Sequence, residues 1–128
     1  MKTKLKIIKL FLNDSNPKTI REISKQISAD YKITHIATQR LIKQDILKVQ
    51  TVGKSSLCKL NDSYYGVEIY EAENERKDKL LKNKSIRQLY KEVMAKIETS
   101  FFIVLLFGSY AKGKQTKSSD IDLLIVSN

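Results

Sequence analysis

The chain has 128 residues, 41% of them hydrophobic and 30% charged, so it holds one ordinary domain or two very small ones, with packed cores rather than wholesale disorder. The single cysteine, Cys58, excludes an internal disulfide and a cysteine-based zinc module, and the single histidine excludes histidine metal chemistry. With 24 Lys and Arg against 14 Asp and Glu the net charge is +10, and no apolar run approaches the ~18 residues of a membrane span.

In chain order, Met1–Leu12 interleaves lysines with apolar residues and is not followed by a small-residue cleavage site. A secretory leader is therefore not expected, and the expected compartment is the cytoplasm. Leu5, Ile7, Ile8, Phe11 and Leu12 keep helical spacing, which predicts an amphipathic helix over Lys2–Asn13. Asp14-Ser15-Asn16-Pro17 breaks it. Thr19-Ile20-Arg21-Glu22 reads as a capping box, with Ile20, Ile23 and Ile27 as the buried stripe of a second helix. Ala29–Lys32 is expected to turn. Thr34 is expected to cap a third helix reaching Gln44, with Ile33, Ala37 and Leu41 inward. A strand over Ile46–Thr51, a turn over Val52–Ser55 and a returning strand over Ser56–Leu60 follow, with Cys58 as a packed strand residue.

Residues 1–60 carry 13 Lys and Arg against 4 Asp and Glu, nearly the whole excess of the chain. That is the footprint of a polyanion partner. Three short helices and a hairpin resemble a winged helix-turn-helix domain. The resemblance implies that the third helix enters the major groove of double-stranded DNA and that the hairpin lies along the backbone. The outward candidates are His35, Gln39, Arg40 and Lys43 on the helix, with Lys54 and Ser55 at the wing tip. Asp45 stands where such domains often place glycine, and Asp tolerates left-handed geometry better than most residues. Winged helices also serve as dimerisation or protein-docking modules, and that reading stays open.

Asn61–Lys84 alternates charges and contains Tyr64, Tyr65 and Tyr70. It is expected to be a largely solvated helical connector, its tyrosines packed on the first domain or offered for base stacking. From Ser85, the residues Ile86, Leu89, Tyr90, Val93 and Ile97 form a helical stripe expected to pack on the strand that begins at Phe101.

The last stretch is the most informative. Phe101–Phe107 is a continuous apolar run ending in Gly108-Ser109-Tyr110-Ala111-Lys112-Gly113. After a polar loop, Asp120-Ile121-Asp122 opens a second apolar run to Val126. On a strand, residues i and i+2 share a face, so the two carboxylates project together, ~6–7 Å apart. Like charges so placed repel until a cation sits between them, and a hard divalent ion such as Mg²⁺ suits oxygen donors. Gly108 permits close backbone approach, and a helix opening at Ser109 would offer free amides to an anion. A Gly-Ser turn and a Ser-Asp turn also serve merely to connect two buried strands, with the acids bonding local amides.

Gly108-Ser109, ten residues, then Asp120-Ile121-Asp122 resembles the signature of the DNA polymerase β-like nucleotidyltransferase superfamily, and its minimal prokaryotic members most closely. The resemblance implies that Gly108 and Ser109 bind the triphosphate of an NTP, ATP as the first candidate. It implies further that Asp120 and Asp122 are the catalytic, Mg²⁺-holding acids. The family's third carboxylate has no counterpart here, so the two-ion site is expected to be incomplete. Two apolar strands and one helix cannot cover one another. Further strands are therefore expected from a continuation of the chain, a protein partner or a homodimer.

The expected fold class is α+β. It comprises a winged helix-turn-helix over 1–60, a connector over 61–84, and the first helix and two strands of a nucleotidyltransferase α/β fold over 85–128. The expected function is Mg²⁺-dependent transfer of NMP from an NTP to an acceptor hydroxyl, fused to DNA binding. The alternative is a DNA-binding regulator whose truncated transferase segment is inert.

Overall fold

The computed structural model describes residues 2–127, which form five helices and two two-stranded antiparallel sheets. The chain divides into two units, Met1–Arg76 and Lys77–Asn128.

In the first unit, helix α1 (Lys2–Asn13) buries Ile7, Ile8 and Phe11, the face its apolar period dictates. Beyond the break at Pro17, Lys18 and Cys58 form a one-residue antiparallel bridge. Each N–H donates to the other carbonyl, at 2.9 and 2.7 Å. Lys18 is 2% exposed, and a buried ammonium needs partners. It donates to the carbonyls of Asp14 at 2.7 Å and Asn16 at 2.8 Å, and lies 4.9 Å from the centre of the Phe11 ring. The N–H of Asn16, and then the nearby Lys18 ammonium, hold the Asp14 carboxyl below its ordinary range. Burial pushes the Cys58 thiol up.

Helix α2 (Ile20–Gln26) starts where the capping pattern predicts, Thr19 Oγ1 accepting from the N–H of Glu22 at 3.2 Å. It ends in a six-to-one, five-to-two closure: Ala29 donates to the Ser24 carbonyl at 3.0 Å and Ser28 to that of Lys25 at 3.2 Å. Ser28 is left-handed at φ +53°, the geometry this motif requires.

The third helix departs from expectation at its start. Helix α3 (Tyr31–Lys43) is capped by Asp30, whose Oδ2 accepts from Lys32 at 2.9 Å and Ile33 at 3.3 Å, and not by Thr34. Asp30 offers a carboxylate one turn earlier, so the helix nucleates there and Thr34 falls inside it. The Thr34 hydroxyl donates to the Asp30 carbonyl at 2.8 Å. The inward stripe becomes Thr34, Ala37, Thr38 and Leu41. Ile33, expected inside, is 54% exposed.

Ile46 donates to the Leu41 carbonyl at 3.0 Å and Asp45 to that of Ile42 at 3.1 Å, with Asp45 at φ +59°. Asp45 thus occupies the left-handed position that glycine usually fills. Strands β1 (Leu47–Val52) and β2 (Ser55–Leu60) pair with Val52 opposite Ser55. The turn is therefore only Gly53-Lys54, shorter than the expected 52–55, with Gly53 at φ +60° as a two-residue hairpin loop demands.

Helix α4 (Val67–Leu80) is largely exposed, as expected of the connector, but it also docks on the first unit's core. Ala72 is fully buried, and Tyr64 and Ile69 pack on the same core. Lys4 pairs with Glu68 at 3.3 Å and Lys9 with Glu75 at 2.6 Å. Tyr65 and Tyr70 remain outside, 80% and 66% exposed. The Tyr64 hydroxyl, and then Lys4, hold the Glu68 carboxyl below its ordinary range. A lowered folded value means that this contact stabilises fully above the ordinary glutamate range. The stabilisation fades as the pH falls through the lowered value.

The core joins Ile7, Ile8, Phe11, Ile23, Leu41 and Ile46. Within it the Thr38 hydroxyl is buried without a hydrogen-bond partner. Thr38→Val removes that unpaired group at constant shape and is expected to raise stability by about 1 kcal/mol, read as a higher urea midpoint. A lower midpoint would contradict it.

In the second unit, helix α5 (Lys84–Lys96) is capped by Asn83 Oδ1, which accepts from Ser85 at 3.0 Å and Ile86 at 3.2 Å. Ile86 is buried, and Leu89, Tyr90, Val93 and Ile97 are half-buried. Strands β3 (Phe102–Phe107) and β4 (Asp122–Ser127) pair antiparallel. Phe102, Val104 and Leu106 are half-buried, whereas Ile103, Leu105 and Phe107 are 56%, 47% and 52% exposed. One face of the hairpin thus lies open to solvent, as expected of two apolar strands that one helix cannot cover.

Candidate functional site

Register brings the Gly-Ser turn to the acidic segment. Phe107 lies opposite Asp122, so the residue leaving β3 sits beside the first residue of β4. A Cβ on Gly108 would overlap Oδ2 of Asp122 and lie 3.2 Å from its Cγ. Gly108 is also at φ +79°, where L side chains are strained. A side chain at 108 would therefore exclude the carboxylate from its position.

Ser109 does not open a long helix. Lys112 donates to the Gly108 carbonyl at 3.3 Å, Lys114 to that of Ser109 at 2.9 Å and Gly113 to that of Tyr110 at 3.3 Å. This is one helical turn, stopped by Gly113 at φ +68°. Ser109 is half-buried within it.

The return to β4 is set by a turn in which the Thr116 N–H donates to Ser119 Oγ at 2.7 Å and the Ser119 N–H to the Thr116 carbonyl at 3.1 Å. Asp122 is half-buried at the first strand position, and Asp120 stands exposed two residues before it. The expectation that one strand carries both acids is corrected. Strand β3 ends at Phe107 and Gly108 turns away, so Asp120 has no partner strand. Directly opposed residues share a face, which places Asp122 at the end of the open apolar face beside Phe107.

Asp120 and Asp122 are hard oxygen donors in sequence proximity. Among the described residues no cluster of three His, Cys, Asp or Glu side chains is placed to hold a metal. Mg²⁺ takes carboxylate oxygens beside water and substrate phosphate, and these two acids supply that type of donor from a loop and a strand start rather than from one pleat.

In the first unit, His35, Gln39, Arg40 and Lys43 are all exposed on α3, as are Lys54 and Ser55 at the hairpin tip. Tyr31 lies 6.0 Å from the His35 ring, and the Arg21 guanidinium 5.9 Å from the Tyr31 ring. Whereas α4 neutralises Lys4 and Lys9, no ion pair among the described residues involves Arg40, Lys43 or Lys54. Sequence reasoning missed Lys32 and Ile36, which lie on the same outward face and are exposed. Once Thr34, Ala37, Thr38 and Leu41 are known to face in, helical spacing alone identifies both.

No helix among the described residues is long and apolar enough to cross a membrane. The family model for a nucleotidyltransferase domain matches residues 86–128, the segment of α5, β3, the Gly-Ser turn and β4. That match supports the nucleotidyltransferase superfamily for this segment, and nucleotidyl transfer as its general kind of chemistry. Neither a curated protein nor a solved structure matches the chain.

Proposed function

We propose that residues 85–128 carry the nucleotide and cation site of a Mg²⁺-dependent nucleotidyltransferase, and that residues 1–60 are a winged helix-turn-helix that binds double-stranded DNA. The observation that carries the transferase reading is the approach of Gly108 to Asp122: the turn suited to phosphate and the acid suited to a cation occupy one end of one hairpin. Gly108 and Ser109 hold the outer phosphates of an NTP, ATP first among the candidates. Asp120 and Asp122 would hold Mg²⁺, which when bound offsets the charge of the phosphates. The acceptor hydroxyl gives its proton to solvent and its oxygen bonds to the α-phosphorus as the bond to the α,β-bridging oxygen breaks, and pyrophosphate leaves. The open face of β3 and β4 is completed by a partner or a second copy of the chain.

Calorimetric titration with ATP and Mg²⁺ tests the site independently of turnover. Binding is expected for the native chain, and loss of its cation-dependent part for Asp120→Asn/Asp122→Asn. Equal Mg²⁺ dependence in both proteins would contradict the assignment.

For DNA binding, support comes from two helices joined by a four-residue turn, α2 and α3, followed by the hairpin. The unpaired cations on α3 and the hairpin tip supply the phosphate contacts. Lys43→Ala and Lys54→Ala are each expected to weaken binding to any duplex and to lower the salt slope by about 1. Anisotropy of a labelled duplex across a salt series reads both. Salt-independent binding, or none at low salt, would overturn the assignment.

A further inference from the structure

Taking the DNA-binding reading as its premise, we infer that Ile36 and Gln39 form the base-reading centre of α3 and select A·T base pairs in the major groove. The inference starts from the buried stripe. Thr34, Ala37, Thr38 and Leu41 face the core. At 100° per residue the opposite line of the helix runs through Lys32, Ile36, Gln39 and Lys43. All four are exposed, and His35 and Arg40 flank them.

The order of chemistry along that line is the argument. A lysine stands at each end, eleven residues apart, which is roughly 16 Å along the axis. A recognition helix lies in the major groove, and the groove curves away from the ends of a straight helix. The two terminal ammonium groups therefore reach phosphates while the middle of the helix faces the base edges. The middle is Ile36 and Gln39. Ile36 is 46% exposed, a β-branched apolar side chain at the centre of an otherwise cationic and polar row. The one apolar feature on a major-groove edge is the thymine C5-methyl. Gln39 carries the amide that pairs bidentately with N6 and N7 of adenine. The two residues are three positions apart, a rise of about 4.5 Å, so they address neighbouring base pairs. No arginine, the usual reader of guanine, occupies the centre of the row.

The experiment selects duplexes from a random pool with the full chain and then modifies the selected site. The selected sites are expected to share A·T pairs at adjacent positions. Replacing thymine by deoxyuridine deletes the methyl alone and is expected to weaken binding roughly fourfold. Replacing adenine by 7-deaza-adenine removes one acceptor and is expected to cost roughly tenfold. Ile36→Ala should abolish the first penalty and Gln39→Ala the second, and both exposed substitutions should leave the circular dichroism spectrum unchanged. Selected sites without an A·T requirement, or a wild-type chain indifferent to both analogues, would overturn the inference. The salt-dependent binding through Lys43 and Lys54 would then still stand. Absence of binding to every duplex at low salt would overturn both readings together.

Discussion

Gly108→Ala is expected to abolish most nucleotidyl transfer, with a loss of roughly a hundredfold, the scale on which a misplaced reacting group costs an active site. Two physical effects converge there. At φ +79° any side chain meets backbone strain of about 1–2 kcal/mol. A Cβ would also collide with Oδ2 of Asp122, so the carboxylate must leave its place. Gly113→Ala separates the two. Gly113 is also left-handed, at φ +68°, but a Cβ there meets nothing within 4 Å. It should lower stability by about 1 kcal/mol and leave transfer nearly intact. Matched losses of transfer in the two variants would mean that strain alone matters and that the approach of Gly108 to Asp122 has no catalytic consequence.

The second large effect is on stability. Phe11→Ala is expected to cost about 3–5 kcal/mol, the usual range for emptying a buried aromatic site. Phe11 is 1% exposed and lies under the Lys18 ammonium. A unit of 76 residues has a total stability of roughly 4–11 kcal/mol, so one substitution removes a large share of it. Chemical denaturation should show the loss, and duplex binding should weaken with the folded fraction as temperature or denaturant rises. Tyr65→Ala, at a residue 80% exposed, is the matched aromatic deletion that should change neither. A Phe11→Ala midpoint as high as that of Tyr65→Ala would contradict the described core.

Local features of the first unit were legible because each is a short-range physical rule. The apolar period of α1 gave its bounds, Thr19 its neighbour's cap, and Asp45 its left-handed turn. What was not legible depended on competition or distance. Asp30 and Thr34 are both good caps, and sequence alone does not say which one wins. The choice rotates Ile33 outward and makes Thr34 and Thr38 core residues. The docking of α4 rests on Ala72 and on pairs between Lys4 and Glu68 and between Lys9 and Glu75. Such contacts join residues more than sixty positions apart, and nothing in a charged helix with one buried alanine announces them.

At the candidate site the chemical groups were legible, and their arrangement only in part. The spacing of Gly108 and Asp122 around a polar loop required a return of the chain. The register that sets Phe107 against Asp122 was not readable from it. The same register leaves Asp120 ahead of the strand, against the expectation of two acids on one pleat. It also puts Asp122 on the open apolar face, the face that two apolar strands and one helix were expected to leave uncovered.

The most direct measurement incubates the native chain with Mg²⁺, each α-labelled NTP in turn and a cell extract as the source of acceptors, beside the Asp120→Ala/Asp122→Ala chain. Label is expected to appear in an acceptor with the native chain and to be absent with the double variant. Equal labelling in both, or none in either, would contradict nucleotidyl transfer by residues 85–128 and leave a DNA-binding regulator with an inert carboxy-terminal segment.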